Sequence, residues 1–270
     1  MFKMFKRSYA LYWVLAISGA IAIYYAMWQK YPESMLVLLA IPLISVWVFV
    51  SAVIAQCYFV KLHEKITDIL TKECNPGNYI AFYEKILKRK SLGKFKSYVV
   101  LNLCTGYAIS GDVEKEKCLL DSIRFFPDTR RGVADKVCYF NNLAAYYINI
   151  NNIEEAENAL ENMKLTLHEP KLYKSIYESF YSLYTSKTFA LNLVKGNCAG
   201  VEEFFNIAFD KEKNKLGKVA AKYRLGILYT HLGETKKAAI AFEYVLQNGN
   251  KTYYVQKANE YLGRNPGKGC

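Results

Sequence analysis

The chain has no Cys-x2-Cys pair, no His-Glu-x2-His, no Gly-x-Ser-x-Gly and no glycine-rich phosphate loop. Its three histidines, His63, His168 and His231, are far apart in sequence. The signatures of zinc hydrolases, serine hydrolases and nucleotide-phosphate enzymes are therefore missing. Seven cysteines are scattered and odd in number, which argues against a disulfide framework and suits reduced thiols in a cytosolic environment. Only six prolines accompany 15% aromatic residues, so ordered, helix-rich structure is expected rather than disorder. Acidic residues are the scarcer charge, 24 against 36 basic, for a net charge of +12. Up to Val60 the ionised groups are Lys3, Lys6, Arg7, Lys30 and Glu33, so most of that excess lies further on.

Two stretches lack ionised side chains altogether. Ser8 to Gln29 is long enough to span a bilayer as a helix, and Ser34 to Val60 is longer, with Pro42 inside it. Only Lys30-Tyr31-Pro32-Glu33 separates them, so two spans, about 9–28 and 35–60, must form an antiparallel transmembrane hairpin over 1–60. Tyr12 and Trp13 at one end, and Tyr24, Tyr25, Trp28 and Tyr31 at the other, have the placement of interfacial aromatic belts. A cleaved signal peptide fits poorly, because the apolar run is too long and a second span follows directly. Lys3, Lys6 and Arg7 precede the first span, and Lys61, Lys65 and Lys72 follow the second, so both ends should face the cytoplasm. Nothing ionisable lies within either span, which leaves a proton or ion pathway no residues to run on. Ala16/Ala20 and Ser18/Ala22 place small residues where a second helix can seat. Pro42 is expected to mark a kink, and Cys57 is either an inert interfacial thiol or a lipidation site.

Beyond Val60 the pattern turns amphipathic, with Leu62, Ile66, Ile69 and Leu70 on one face. One helix can run from the bilayer to about Cys74, where Asn75-Pro76-Gly77-Asn78 stops it. Tyr79, Phe82, Tyr83, Ile86 and Leu87 then mark a second helix, giving a linking pair over 61–96.

The most regular stretch is Val219–Asn250. It reads Leu225-Gly226, Tyr229, Leu232-Gly233, Ala238 and Phe242, two helical patterns around a tight turn. Only a helical hairpin fits. Gly226 and Ala238 let two backbones approach, and Tyr229 and Phe242 fill the space around that contact. This stretch resembles a tetratricopeptide repeat (TPR), with Lys222 where the motif has Trp and Asn250 where it has Pro. Leu103-Cys104, Tyr107, Ser110-Gly111 and Leu120 repeat the offsets, with Glu116 in place of the second small residue. Leu143-Ala144, Tyr147, Asn151-Asn152, Ala156 and Leu160 repeat them again. A fourth unit has its turn at Gly196 and its second helix at Val201, Phe205 and Ala208. Tyr253–Leu262 reads as a capping helix before the tail at 265–270. The fold class is thus all-α: an N-terminal two-helix transmembrane hairpin, then a TPR-like right-handed helical-hairpin solenoid over 97–264. The resemblance implies one elongated soluble stack with a binding groove.

First helices line the groove of such a stack, so their polar residues are the candidate partner contacts: Asn102, Asn141, Asn142, Tyr177, Tyr181, Lys222 and Arg224. Paired asparagines can clamp a peptide backbone through donor and acceptor; ordinary solvation or core packing is the plainer role for each. The stripe Tyr173, Tyr177, Phe180, Tyr181 and Tyr184 has helical spacing and belongs mainly to the core. Cys104 and Cys118 fall on small-residue packing positions and are expected to be buried. The densest cationic run is Lys85, Lys88, Arg89, Lys90, Lys94 and Lys96, suited either to anionic lipid headgroups or to plain solvation. Without an aromatic-basic platform, nucleic acid is not an expected partner.

The reading is a non-enzymatic membrane-anchored scaffold with no cofactor, whose cytoplasmic stack binds a protein or peptide. Two alternatives stay open. One is a regulator that responds to a small peptide or nucleotide; the other is an accessory subunit of a membrane enzyme or transporter. A closed, apolar pocket as opposed to an open groove separates the regulator from the scaffold.

Overall fold

A computed structural model describes residues 2–88, 93 and 96–263, with only the backbone for 2–6, 33, 34, 36 and 37. Among the described residues it contains twelve α-helices and no strand. They are α1 (Phe2–Trp28), α2 (Glu33–Thr71), α3 (Pro76–Leu87), α4 (Lys96–Ser110), α5 (Val113–Asp121) and α6 (Arg130–Asn149). Then follow α7 (Ile153–Leu167), α8 (Lys174–Val194), α9 (Val201–Lys211), α10 (Lys215–His231), α11 (Thr235–Asn248) and α12 (Tyr253–Tyr261). They fall into two compact units, Met1–Thr67 and Asp68–Cys270.

In the first unit, two helices are long and apolar enough to cross a membrane, over Arg7–Trp28 and Leu38–Thr71. Their outer surfaces are apolar, with Val14, Ile21, Leu38 and Phe49 all exposed. Met27 packs with Ala40, alongside Ile23 and Ile44. Further along, the Trp47 indole donates to the Leu15 carbonyl at 2.7 Å. Gly19 makes room for that indole, because a Cβ there would stand 1.7 Å from Trp47 Nε1. The seat is therefore Gly19 beside the buried Ala16; Ser18, expected to share it, is exposed and bonds back to Leu15 O. α2 continues through Pro42.

The second unit is built from local rules applied several times. Asn75 caps α3 and Pro76 opens it, so the turn signal at 75–78 starts this helix as much as it stops the previous one. Asp112, Thr129, Asn152 and Asn214 cap α5, α6, α7 and α10 in the same way, each accepting from a backbone N–H three residues on. Four first helices end alike. Gly111, Asn151, Gly196 and Gly233 are left-handed. The next N–H reaches back five residues: Asp112 to Tyr107 O, Asn152 to Tyr147 O, Asn197 to Asn192 O and Glu234 to Tyr229 O, at 2.8–3.1 Å. This is the bond that satisfies orphan carbonyls at a helix end and reverses the chain.

Each helix from α3 onward packs on a sequence neighbour, the α5–α6 and α8–α9 contacts being slight, and α4, α6, α8, α10 and α12 also touch in succession. Between the members of a pair sit Cys104 with Leu120, Ala144 with Ala156 and Leu160, and Gly226 with Ala238 and Phe242, all buried. Gly226 is required there: a Cβ would come 2.5 Å from the Phe242 ring. In the third pair Phe189 replaces the small residue and stacks on Phe204 at 4.3 Å. Cys118, expected in the core, is exposed and borders an open recess with Leu103 and Tyr107, while Cys104 is fully buried.

The ends of this unit meet, where the sequence suggested an elongated stack. Asn250 Nδ2 donates to Glu73 O at 2.8 Å, and Lys251 N–H to Cys74 O at 3.3 Å. α12 also contacts α4, and Tyr253 OH reaches Asn149 on α6 at 3.1 Å. The helix expected to cap one end instead bridges back to the beginning.

A polar chamber as the candidate functional site

The left-handed turn residues set a common register for the first helices. Nine positions before Gly111, Asn151, Gly196 and Gly233 stand Asn102, Asn142, Lys187 and Arg224. The stripe changes character along the unit. Asn102 accepts from Tyr79 OH at 2.7 Å and donates to Tyr98 O. Asn142, buried, donates to Leu101 O at 3.1 Å and accepts from Thr105 Oγ1. Both amides are consumed in ties between helices. Lys187 and Arg224 have no such bond, and among the described residues no carboxylate lies within ion-pair distance of either.

A chamber of about 610 Å³ opens beside Arg224. Its floor is apolar and aromatic, from Ile148 on α6, Val194 on α8, Tyr223 on α10 and Tyr253 on α12. His231, Lys257 and Glu260 stand at its exposed mouth, and Lys257 neutralises Glu260 at 2.8 Å. Arg224 lies 5.7 Å from the Tyr223 ring.

Glu116, Lys187 and Tyr253 are held away from their ordinary ranges. Burial pushes the Glu116 carboxyl up to about 8, with Lys187 pulling it the other way. Glu116 is 1% exposed and its Oε1 has no hydrogen-bond partner. Burial pushes Lys187 down to about 8, reinforced by the positive charge of Arg224 and opposed by Glu116. The Tyr253 phenol is raised by burial. Arg224 thus stands beside Lys187 without an ion-pair partner among the described residues, while the buried Glu116 is disposed to stay protonated.

The other expected contacts are dispersed. Asn141 donates to Asn142 Oδ1 at 3.4 Å, leaving its own buried carbonyl oxygen without a partner. Tyr177 packs on Val133, Met163 and their neighbours, and stacks on the exposed Tyr181 at 5.8 Å. Lys222 sits 4.3 Å over the Phe209 ring. Of the basic run, Lys85, Lys88 and Lys96 are exposed, whereas Arg89, Lys90 and Lys94 lie outside the described residues. Lys88 borders an apolar recess of about 330 Å³ with Leu87, Leu103 and Leu119. Sequence reasoning missed Lys187 and undervalued Glu116. Counting nine back from Gly196 finds the first; the second announces itself as an acid on a small-residue position.

One constellation occurs twice. Tyr107 OH donates to Glu84 Oε1 at 2.6 Å, and Tyr229 OH to Glu202 Oε1 at 2.8 Å. Lys115 lies over Tyr107 and pairs with Asp112, as Lys237 lies over Tyr229 and pairs with Glu234. Each tyrosine thus ties its helix to the preceding one.

The chain matched no protein-family model, no curated protein and no solved structure.

Proposed function

We propose that the chain is a non-enzymatic, membrane-anchored scaffold: α1 and α2 form a transmembrane hairpin, and a cytoplasmic TPR-like solenoid binds a protein or peptide segment. The observation that carries the solenoid reading is the recurrence of one turn at 111, 151, 196 and 233 with the same five-residue back-bond. The doubled Tyr–Glu tie supports it. Helix pairs of this kind bury little singly and gain stability from neighbours, and their exposed surfaces serve as binding faces. The hairpin rests on the apolar surfaces of α1 and α2, and its orientation on the flanking cations.

Two experiments test this reading. A photo-crosslinking residue at the exposed Tyr181 should capture a specific protein in native membranes; capture of no specific partner there or at Lys222 would remove the scaffold reading. For topology, Glu33→Cys should react with an impermeant thiol reagent in intact cells while Cys198 stays protected. Labelling of Cys198 in sealed cells would place the solenoid outside.

The chamber favours a second reading, a regulator that responds to a small ligand. Its volume is in the range of small-molecule sites, and it touches α6, α8, α10 and α12 together, so an occupant would fix their relative packing.

A further inference from the structure

The inner stripe of the second unit poses a question of charge. Where α4 and α6 carry asparagines that close onto neighbouring backbone, α8 and α10 carry Lys187 and Arg224, and among the described residues no carboxylate lies within ion-pair distance of either. Two like charges on adjacent helices, each half-buried, repel one another. Burial and Arg224 together disfavour the Lys187 ammonium. An arrangement of this kind is at its most favourable when an anion arrives. Arg224 faces the chamber with a guanidinium fork suited to two parallel bonds from one oxyanion. Lys257 and His231 at the mouth add donors, and Glu260 is already neutralised by Lys257. The walls argue for more than a bare ion. Tyr223 and Tyr253 have ring centroids 6.0 Å apart in an edge-on arrangement, and Tyr261 lies at the opening, giving flat faces for a ring.

We propose that Arg224, walled by Tyr223 and Tyr253, binds a small organic anion: a flat ring carrying a phosphate or a carboxylate. The oxyanion pairs with the Arg224 guanidinium, and the ring lies among the tyrosines and Ile227. The occupant bridges α10 and α12 and supplies the anion that Arg224 lacks among the described residues. This site deepens the small-ligand reading, on which it rests, and does not depend on the protein-binding one.

The test uses the full chain in nanodiscs and equilibrium dialysis against empty nanodiscs. Four probes separate ring from charge: 2-naphthyl phosphate, 2-naphthoate, 2-naphthol and inorganic phosphate. One or both ring-bearing anions should be retained at about 1 mM or below, and naphthol and inorganic phosphate about tenfold more weakly. Which anion is held more tightly tells phosphate from carboxylate. Arg224→Gln should lose about tenfold or more in affinity, as expected when a charge-assisted bidentate pair is removed, and Arg224→Lys should recover part of it. Ile227→Trp keeps every charge and fills the chamber, so it should also abolish retention if Arg224→Gln fails to fold. Retention of naphthol equal to that of the two anions would overturn the proposal. So would affinity unchanged in both Arg224→Gln and Ile227→Trp, or no retention of either anion. A captured protein partner with no anion retention would leave the scaffold reading intact and remove this one alone.

Discussion

The two units each contain a glycine pressed against an aromatic ring, and the pairs are held together by different forces. In the first, Gly19 lets the Trp47 indole lie on α1 and donate to the Leu15 carbonyl. In the second, Gly226 lets the Phe242 ring lie on α10, with no hydrogen bond involved. If α1 and α2 sit in lipid, their outward residues gain nothing by leaving it. Close packing and one interhelical hydrogen bond then do the work that water-driven burial does for Phe242. Sterically the two glycines are alike. Energetically the same motif depends on its solvent.

That comparison can be broken most forcefully at the glycines. Gly226→Leu should cost about 3 kcal/mol, at the upper end for overpacking a closed core. Protection from hydrogen exchange should fall in α10 to α12. It should also fall around Glu73 and Cys74, because Asn250 and Lys251 bond there. Normal exchange at 73–75 would show that the meeting of the ends carries no energy, and uniform loss from α3 to α12 would show one cooperative unit in place of a stack. Gly19→Leu should leave exchange in the second unit untouched.

Next in size is pH. Glu116 keeps a proton in the folded chain that the unfolded chain releases, so stability should fall as pH rises from about 4.5 to about 8. Lys187 loses its proton in the folded chain before the unfolded chain does, so stability should recover from about 8 to about 10.5. A trough near pH 8 results, with Glu116→Gln raising stability there by about 2 kcal/mol. Urea midpoints of both proteins across this range decide it: a profile unchanged by Glu116→Gln would show that the carboxyl is not held neutral.

A smaller effect is expected where the ends of the second unit join. Asn250→Gly preserves the left-handed backbone at φ 48° but deletes the amide bond to Glu73 O, and should cost about 1 kcal/mol. Thermal melting of the two proteins side by side measures it, and an unchanged midpoint would make the contact incidental. Smallest of all, Lys85→Gln and Lys88→Gln should change stability by less than about 0.5 kcal/mol, because both are exposed. They should nonetheless weaken binding of the fragment 61–270 to anionic vesicles, at about 1 kcal/mol per cation removed. Vesicle affinity identical to wild type would leave these lysines merely solvated.

The sequence by itself determined the helices, their turns and their pairing. Gly226, Tyr229, Ala238 and Phe242 recur at offsets that only a helical hairpin satisfies, and Asn151 and Gly196 supply backbone conformations that other residues resist. The apolar lengths of α1 and α2 were equally plain, because a charge-free run is a local property. Tertiary structure alone decided what the inner stripe does. Asn102 and Asn142 look like ligand groups in sequence, yet neighbouring helices lie close enough to consume their amides. Lys187 and Arg224 occupy the same register on α8 and α10 and have no ion-pair partner among the described residues, and an acid on the small-residue position, Glu116, is closed away from water. Likewise, nothing local announces that Asn250 will meet Glu73, 177 residues earlier. The rotation from one helix pair to the next depends on side-chain volumes at each interface, such as Phe189 standing where other units have Cys, Ala or Gly. Only the packing of the whole second unit brings Asn250 and Lys251 back to Glu73 and Cys74.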